Sequence, residues 1–105
     1  MSKQIAEIKQ QELFPGIKAQ FVHTINNTIG FVELEQGAIL PTHSHIHEQT
    51  THVIEGLLEL TINGNVTILT SGMIVTIPSN IPHSARAISF CKVTDIFFPV
   101  REDYL

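Results

Sequence analysis

Tryptophan is absent from these 105 residues, and cysteine and tyrosine occur once each. The single Cys91 excludes an intramolecular disulfide and suits a reducing compartment. Six basic residues stand against ten acidic ones, for a net charge of −4, and no lysine/arginine cluster occurs. That balance leaves no electrostatic footprint for nucleic acid. An anionic partner would have to be recognised by single placed groups. No apolar run approaches the ~20 residues of a membrane helix. The opening MSKQIAEIKQQELFPG is polar and lacks the apolar stretch of a secretory signal. Together these absences lead us to expect a cytoplasmic protein that engages neither nucleic acid nor a membrane.

What is present is an apolar, strand-forming chain. With 43% hydrophobic and 15% charged residues it reads as globular, and 105 residues fit one domain with one modest core. Residues 4–13 could form a short turn of helix, ended by Phe14-Pro15-Gly16. After that, isoleucine, valine, threonine and phenylalanine dominate, with turn residues at short intervals. The pattern predicts strands over 17–25, 28–36, 50–55, 57–62, 66–69, 73–77, 84–89 and 91–98, with Gly37 to Pro41 as a connection. Asn63-Gly64 is a hairpin signal, because a type I′ turn needs positive φ at both central positions. No segment between strands is long enough for a parallel crossover, so we expect an antiparallel sandwich or small barrel.

Six histidines occur, and four of them fall in the stretch THSHIHEQTTH over residues 42–52. In an extended chain alternate residues point the same way, which would put His43, His45 and Gln49 on one face. His83, just after the turn Pro78-Ser79-Asn80, is the candidate fourth partner. Neutral imidazole is a common ligand for late first-row divalent metals. Three imidazoles and an amide oxygen make a neutral shell that leaves the ion's charge undamped, with open positions for water or substrate. A polar loop with exposed histidines is the alternative reading. Glu48 could replace Gln49 as ligand only through a one-residue slip that reverses its side chain. His47 falls in a bend and reads as rim or solvent; His52 has the opposite parity and should face away; His23 reads as structural.

The last strand adds a second feature. Cys91, Val93, Asp95 and Phe97 share a face, and its apolar members should turn it inward. Asp95 goes with them, and a buried carboxylate is costly unless bonded, paired or near a metal. It could exchange protons with a bound substrate, or simply bond backbone amides at a strand mouth. Phe97 would line the cavity or belong to the core. Arg101, if folded over the barrel mouth, could clamp a carboxylate with its planar fork. Ile96 and Phe98 face the other way, and an outer apolar pair suggests a homodimer contact.

The frame of these residues is specific. Gly37, His43, His45, Gln49 and Gly56, followed by Gly72, Pro78, Asn80 and His83, resemble the two cupin motifs G-x5-H-x-H-x3-4-E-x6-G and G-x5-P-x-G-x2-H-x3-N. Gln49 stands in place of Glu, Asn80 in place of Gly and Ala87 in place of the final Asn. Asn also enters left-handed turns. The resemblance covers about residues 30–98. It implies an all-β, cupin-type jelly-roll barrel: a single domain over 1–105, with its core at about 17–98, a tail at 99–105 and a short N-terminal extension. It also implies metal ligands His43, His45, Gln49 and His83, with nickel, zinc, manganese, iron and cobalt all open as the ion.

H-x-H-x-HEQ together with D-x-F-x-P-x-REDYL is similar to the small cupins called pectin degradation proteins. That group converts 4,5-unsaturated monouronates from pectin or alginate breakdown into open-chain keto forms. The resemblance implies Asp95 as catalytic acid/base, Phe97 as an aromatic wall and Arg101 as the arginine that binds the carboxylate of a small sugar acid. Two other readings stay open: a non-catalytic cupin binding a small sugar or carboxylic acid, and a metal-dependent oxygenase.

Overall fold

The computed structural model describes residues 1–105. Ten strands form the fold: β1 Gln11–Phe14, β2 Ile17–His23, β3 Thr28–Leu34, β4 Ile39–His43, β5 Glu48–Glu55, β6 Leu58–Ile62, β7 Asn65–Leu69, β8 Ile74–Ile77, β9 His83–Ala87 and β10 Cys91–Phe98. They make two sheets, ordered β1-β2-β3-β10-β5-β8 and β4-β9-β6-β7. Every pairing is antiparallel. This is the expected jelly-roll barrel, with the last strand, β10, held between β3 and β5. No helix is long and apolar enough to cross a membrane.

Alternation decides which residues fill the space between the sheets. On β2, β3, β5 and β10 every second residue points inward, and Ile17, Ala19, Leu34, Val53, Cys91 and Val93 are buried. The four-stranded sheet answers with Leu58, Leu60, Leu69 and Ala85. Burying each larger side chain contributes roughly 1.5–3 kcal/mol. The hairpin at Asn63-Gly64 has φ of 49° and 81°, the two positive values that its sequence foretells. Asn80, at φ 63°, adopts the left-handed turn that a glycine would otherwise supply.

Two expectations need correcting. Residues 4–13 are not a helical turn: only Ile5–Glu7 form a 3-10 turn, and Gln11–Phe14 pair with β2 as an edge strand. The 3-10 turn is held from outside, by the Gln20 side-chain amide donating to the carbonyls of Ile5 and Ile8. The segment read as a connection, Gly37 to Pro41, contains the start of β4. Pro41 is tolerated there because β4 is an edge strand whose register shifts between Leu40 and His43.

Two motif glycines separate backbone conformation from packing. Gly56 has φ +95°, and a Cβ there would lie 2.2 Å from the Phe90 carbonyl oxygen. Gly37 has φ +84°, but a Cβ would meet nothing within 4 Å. We expect Gly37→Ala to cost about 1–2 kcal/mol, the left-handed penalty alone, and Gly56→Ala to cost clearly more because backbone must move. Urea unfolding checks this. Equal midpoints for the two variants would contradict the packing reading of Gly56.

Candidate metal centre

The stretch rich in histidine does its work by crossing between sheets. His43 closes β4 in the four-stranded sheet, and Glu48 opens β5 in the six-stranded one. Residues 44–47 bridge the two. The second motif secures this bridge: the Asn80 backbone N–H donates to the His45 carbonyl at 2.7 Å, and the Ser79 hydroxyl donates to the Ile46 carbonyl. His83 opens β9 directly opposite His43 in register. The ring centroids of His43 and His83 lie 4.2 Å apart, those of His45 and His83 4.9 Å, and those of His43 and His45 5.6 Å. One ring nitrogen from each of the three lies within 4.8 Å of the other two.

Hydrogen bonds fix which nitrogens these are. Nδ1 of His43 bonds the Pro41 carbonyl at 2.8 Å, Nδ1 of His45 the His47 carbonyl at 2.9 Å, and Nδ1 of His83 the Ile81 carbonyl at 2.9 Å. A carbonyl oxygen only accepts, so each Nδ1 carries the proton and donates. In the neutral ring Nε2 then holds a lone pair, the arrangement that orients a metal-ligating imidazole. Burial, helped by the charge of Arg101, pulls His45 down to about 4, and burial lowers His83 as well. Both rings are therefore neutral at physiological pH.

Two further observations fit an ion among them. His83 Nε2 is buried with no hydrogen-bond partner. A buried acceptor in that state is costly unless something satisfies it. His45 Nε2 also lies 3.2 Å from Gln49 Oε1. With His45 protonated at Nδ1, both atoms are acceptors and repel. Two ligand bonds of about 2.1 Å to one ion would span about this separation. The three histidines could hold a metal ion, and the amide oxygen of Gln49 fits as a fourth donor.

The rest of the cavity carries a buried carboxyl, an aromatic ring and a guanidinium. Gln49 turns its other end away from the histidines: Nε2 donates to Thr51 Oγ1 at 2.9 Å and to Asp95 Oδ1 at 3.3 Å. Thr51 donates to the same Oδ1 at 2.7 Å. Burial pushes the Asp95 carboxyl up to about 6, against the opposing pull of these two bonds and of Arg101. Asp95 is thus held near the point where it can take or give a proton at neutral pH. Phe97 is 5% exposed, and its ring sits edge-on to His45 at 5.8 Å. Arg101 is 7% exposed and lies over the same Phe97 ring at 4.8 Å. His43, His83, Gln49, Asp95, Phe97 and Arg101 all line one cavity between the sheets.

The family profile described as "Cupin domain" matches residues 30–97. The chain belongs to the cupin family. A solved RmlC-like cupin from Shewanella frigidimarina superposes with a TM-score of 0.92 at 24% identity, covering 98% of this chain and 94% of that one. KdgF from Halomonas sp. superposes with a TM-score of 0.89 at 30% identity, covering 95% and 94%. Salicylate 1,2-dioxygenase from Pseudoaminobacter salicylatoxidans reaches 0.80 at 21% identity, over 83% of this chain but 26% of that one. The first and third of these likenesses show the fold alone. A search of the curated proteins returned no match.

In this cupin the candidate ligands converge for a reason other than shared parity. His43 and Gln49 lie on different sheets, and His45 lies in the bridge rather than on a strand. Parity does hold where the chain is truly extended: on β5, Gln49, Thr51 and Val53 face inward, while Glu48 is exposed and His52 belongs to the outer alternation. Glu48 therefore points away from the centre. His47 sits at the rim, half-buried, with its ring centroid 5.5 Å from that of His45. His23 is structural in its contacts, with Nδ1 bonded to Thr28 Oγ1 at 2.8 Å. Sequence reasoning passed over Thr51, whose place two residues after Gln49 was the available signal. It also passed over Thr28, Asp103 and Tyr104, which nothing local marks.

We expect protein prepared without a tag to bind a single divalent ion per chain, and His83→Ala to lose most of it. Ion supplied at 100-fold its Kd should stabilise the fold by about 2.7 kcal/mol. Elemental analysis and thermal unfolding with and without a chelator check this. A transition that ignores the chelator would count against the centre.

Proposed function

We propose that this cupin is an isomerase of 4,5-unsaturated monouronates, opening the cyclic hemiacetal to its keto acid. The observation that carries the reading is that the converging imidazoles of His43, His45 and His83 stand at one cavity with the raised carboxyl of Asp95 and the buried guanidinium of Arg101. The tail motif that resembles the pectin degradation proteins supports it, as does the likeness to KdgF over nearly the whole of both chains.

Within that reading His43, His45, Gln49 and His83 hold a late first-row divalent ion. When bound, such an ion supplies positive charge to offset an oxyanion developing at the sugar. Arg101 takes the substrate carboxylate. Phe97 forms the wall beside the sugar ring. Asp95 removes the proton of the anomeric hydroxyl, the bond from the anomeric carbon to the ring oxygen breaks, and an aldehyde and an enolate result. Asp95 then gives its proton back at the carbon of the former double bond that does not carry the oxygen, and the enolate becomes a ketone. Substrate and product are isomers, so no further reactant is needed. Thr51 and Gln49 both occupy Oδ1, which leaves Oδ2 as the oxygen that exchanges the proton. The exposed outer pair Ile96 and Phe98, at 41% and 56%, supports association as a homodimer.

Loss of the enol-ether absorbance of 4,5-unsaturated galacturonate follows the reaction. We expect the metal-loaded protein to accelerate it over buffer and Asp95→Asn to lose about 10²–10⁴-fold in kcat while keeping its ion. Asparagine keeps the shape and can still accept from Thr51, so a folded, loaded and inactive variant is the expected result. Undiminished turnover in Asp95→Asn would remove the carboxyl from the mechanism. A wild type indistinguishable from buffer would favour a non-catalytic binding cupin.

A further inference from the structure

The Arg101 guanidinium is already engaged on one edge. Nε donates to Asp103 Oδ1 at 3.0 Å and Nη2 to Asp103 Oδ2 at 2.7 Å, a bidentate pair. Its Cζ lies 4.3 Å from the centroid of the Tyr104 ring and 4.8 Å from that of the Phe97 ring. The Arg101 backbone N–H donates to Thr28 Oγ1 at 2.8 Å, and Thr28 in turn bonds His23. Nη1 has no hydrogen-bond partner in the protein, and the residue lines the cavity. The arginine side chain is 9% exposed and its partner Asp103 is 55% exposed.

We propose that Asp103 is a positioning residue for Arg101. With Tyr104 it fixes the guanidinium so that the remaining donors, both N–H groups of Nη1 and the second N–H of Nη2, meet the carboxylate of a sugar acid. The inference rests on the uronate reading above. A long arginine side chain has many rotamers to lose, and an acid that holds one edge beforehand removes that cost from substrate binding. The negative charge of Asp103 also lets the guanidinium stay charged while largely shielded from water. Recognition of the substrate carboxylate then depends on the aim of the free edge more than on net charge. Asp103 is too exposed to be needed for packing, which separates its role from that of a core residue.

The test compares wild type, Asp103→Ala and Asp103→Glu, all loaded with metal. It measures turnover of 4,5-unsaturated galacturonate and calorimetric binding of galacturonate and of uncharged galactose. We expect Asp103→Ala to raise KM about tenfold or more, the usual loss for a hydrogen bond to a charged group. The kcat should change little. Galacturonate affinity should fall in parallel, galactose should be unaffected, and Asp103→Glu should recover most of the loss. An unchanged KM and galacturonate affinity in Asp103→Ala would overturn the proposal, as would a fall in kcat at constant KM. If wild type binds galacturonate but leaves the unsaturated acid unconverted, the reaction reading fails and the affinity ratio alone decides on Asp103. A wild type that binds neither acid overturns both.

Discussion

Three short hydrogen bonds, from imidazole Nδ1 to backbone carbonyl, set the chemistry of the whole cavity. Each runs between residues two apart in sequence: His43 to Pro41, His45 to His47, His83 to Ile81. Such bonds need no distant partner. They form wherever the chain bends at the end or start of a strand. What the fold adds is the placement of those bends. β4 ends, the bridge turns and β9 begins at the same corner of the barrel, so three local tautomer choices face one another. Loss of any one of them would let a ring rotate or shift its proton and present N–H where a lone pair is required.

Gln49 joins this centre to the buried carboxyl of Asp95. An amide has an acceptor at one end and donors at the other, and here the two ends serve different neighbours: Oε1 faces His45 and Nε2 faces Asp95. A glutamate at this position could not donate to Asp95. It would set a second carboxylate about 3.3 Å from the first, and like charges at that separation cannot both ionise without cost. The glutamine therefore suits a site in which Asp95 is the carboxyl that titrates. Its neutrality also leaves the charge of a bound ion undamped. Asp95 is in turn aimed by Thr51, and Arg101 is held by Thr28, Phe97, Asp103 and Tyr104. The tail folds back over the mouth to deliver the arginine, while the strand before it supplies the carboxylate.

Much of this was legible from residue order. The strands read from alternation and turn residues appear in the fold, and the Asn63-Gly64 turn has the dihedrals its composition demands. The spacing of the two motifs led to the four residues that converge, and the inward parity of β10 led to Asp95. The misses have physical causes. β4 contains Pro41 and lies at an edge, where strand propensity is weak and a bulge interrupts pairing. Gln11–Phe14 is too short to announce itself, and it is a strand only because β2 offers a free edge. His43, His45 and Gln49 share parity, but residues 44–47 bend between the sheets, so their convergence is a property of topology. Of the partners of Arg101, Thr28 comes from β3 and Phe97 from β10, while Asp103 and Tyr104 stand beside it in a tail that carries no periodic pattern to mark them.

The central claim is that three imidazoles and one neutral oxygen donor meet at a single point. X-ray absorption at the edge of the ion bound to unmodified protein tests it most directly. The account predicts a shell of nitrogen and oxygen at about 2.1 Å, with the outer-shell scattering of three imidazole rings. A spectrum that fits one ring or none, or that requires sulfur from Cys91, would contradict it.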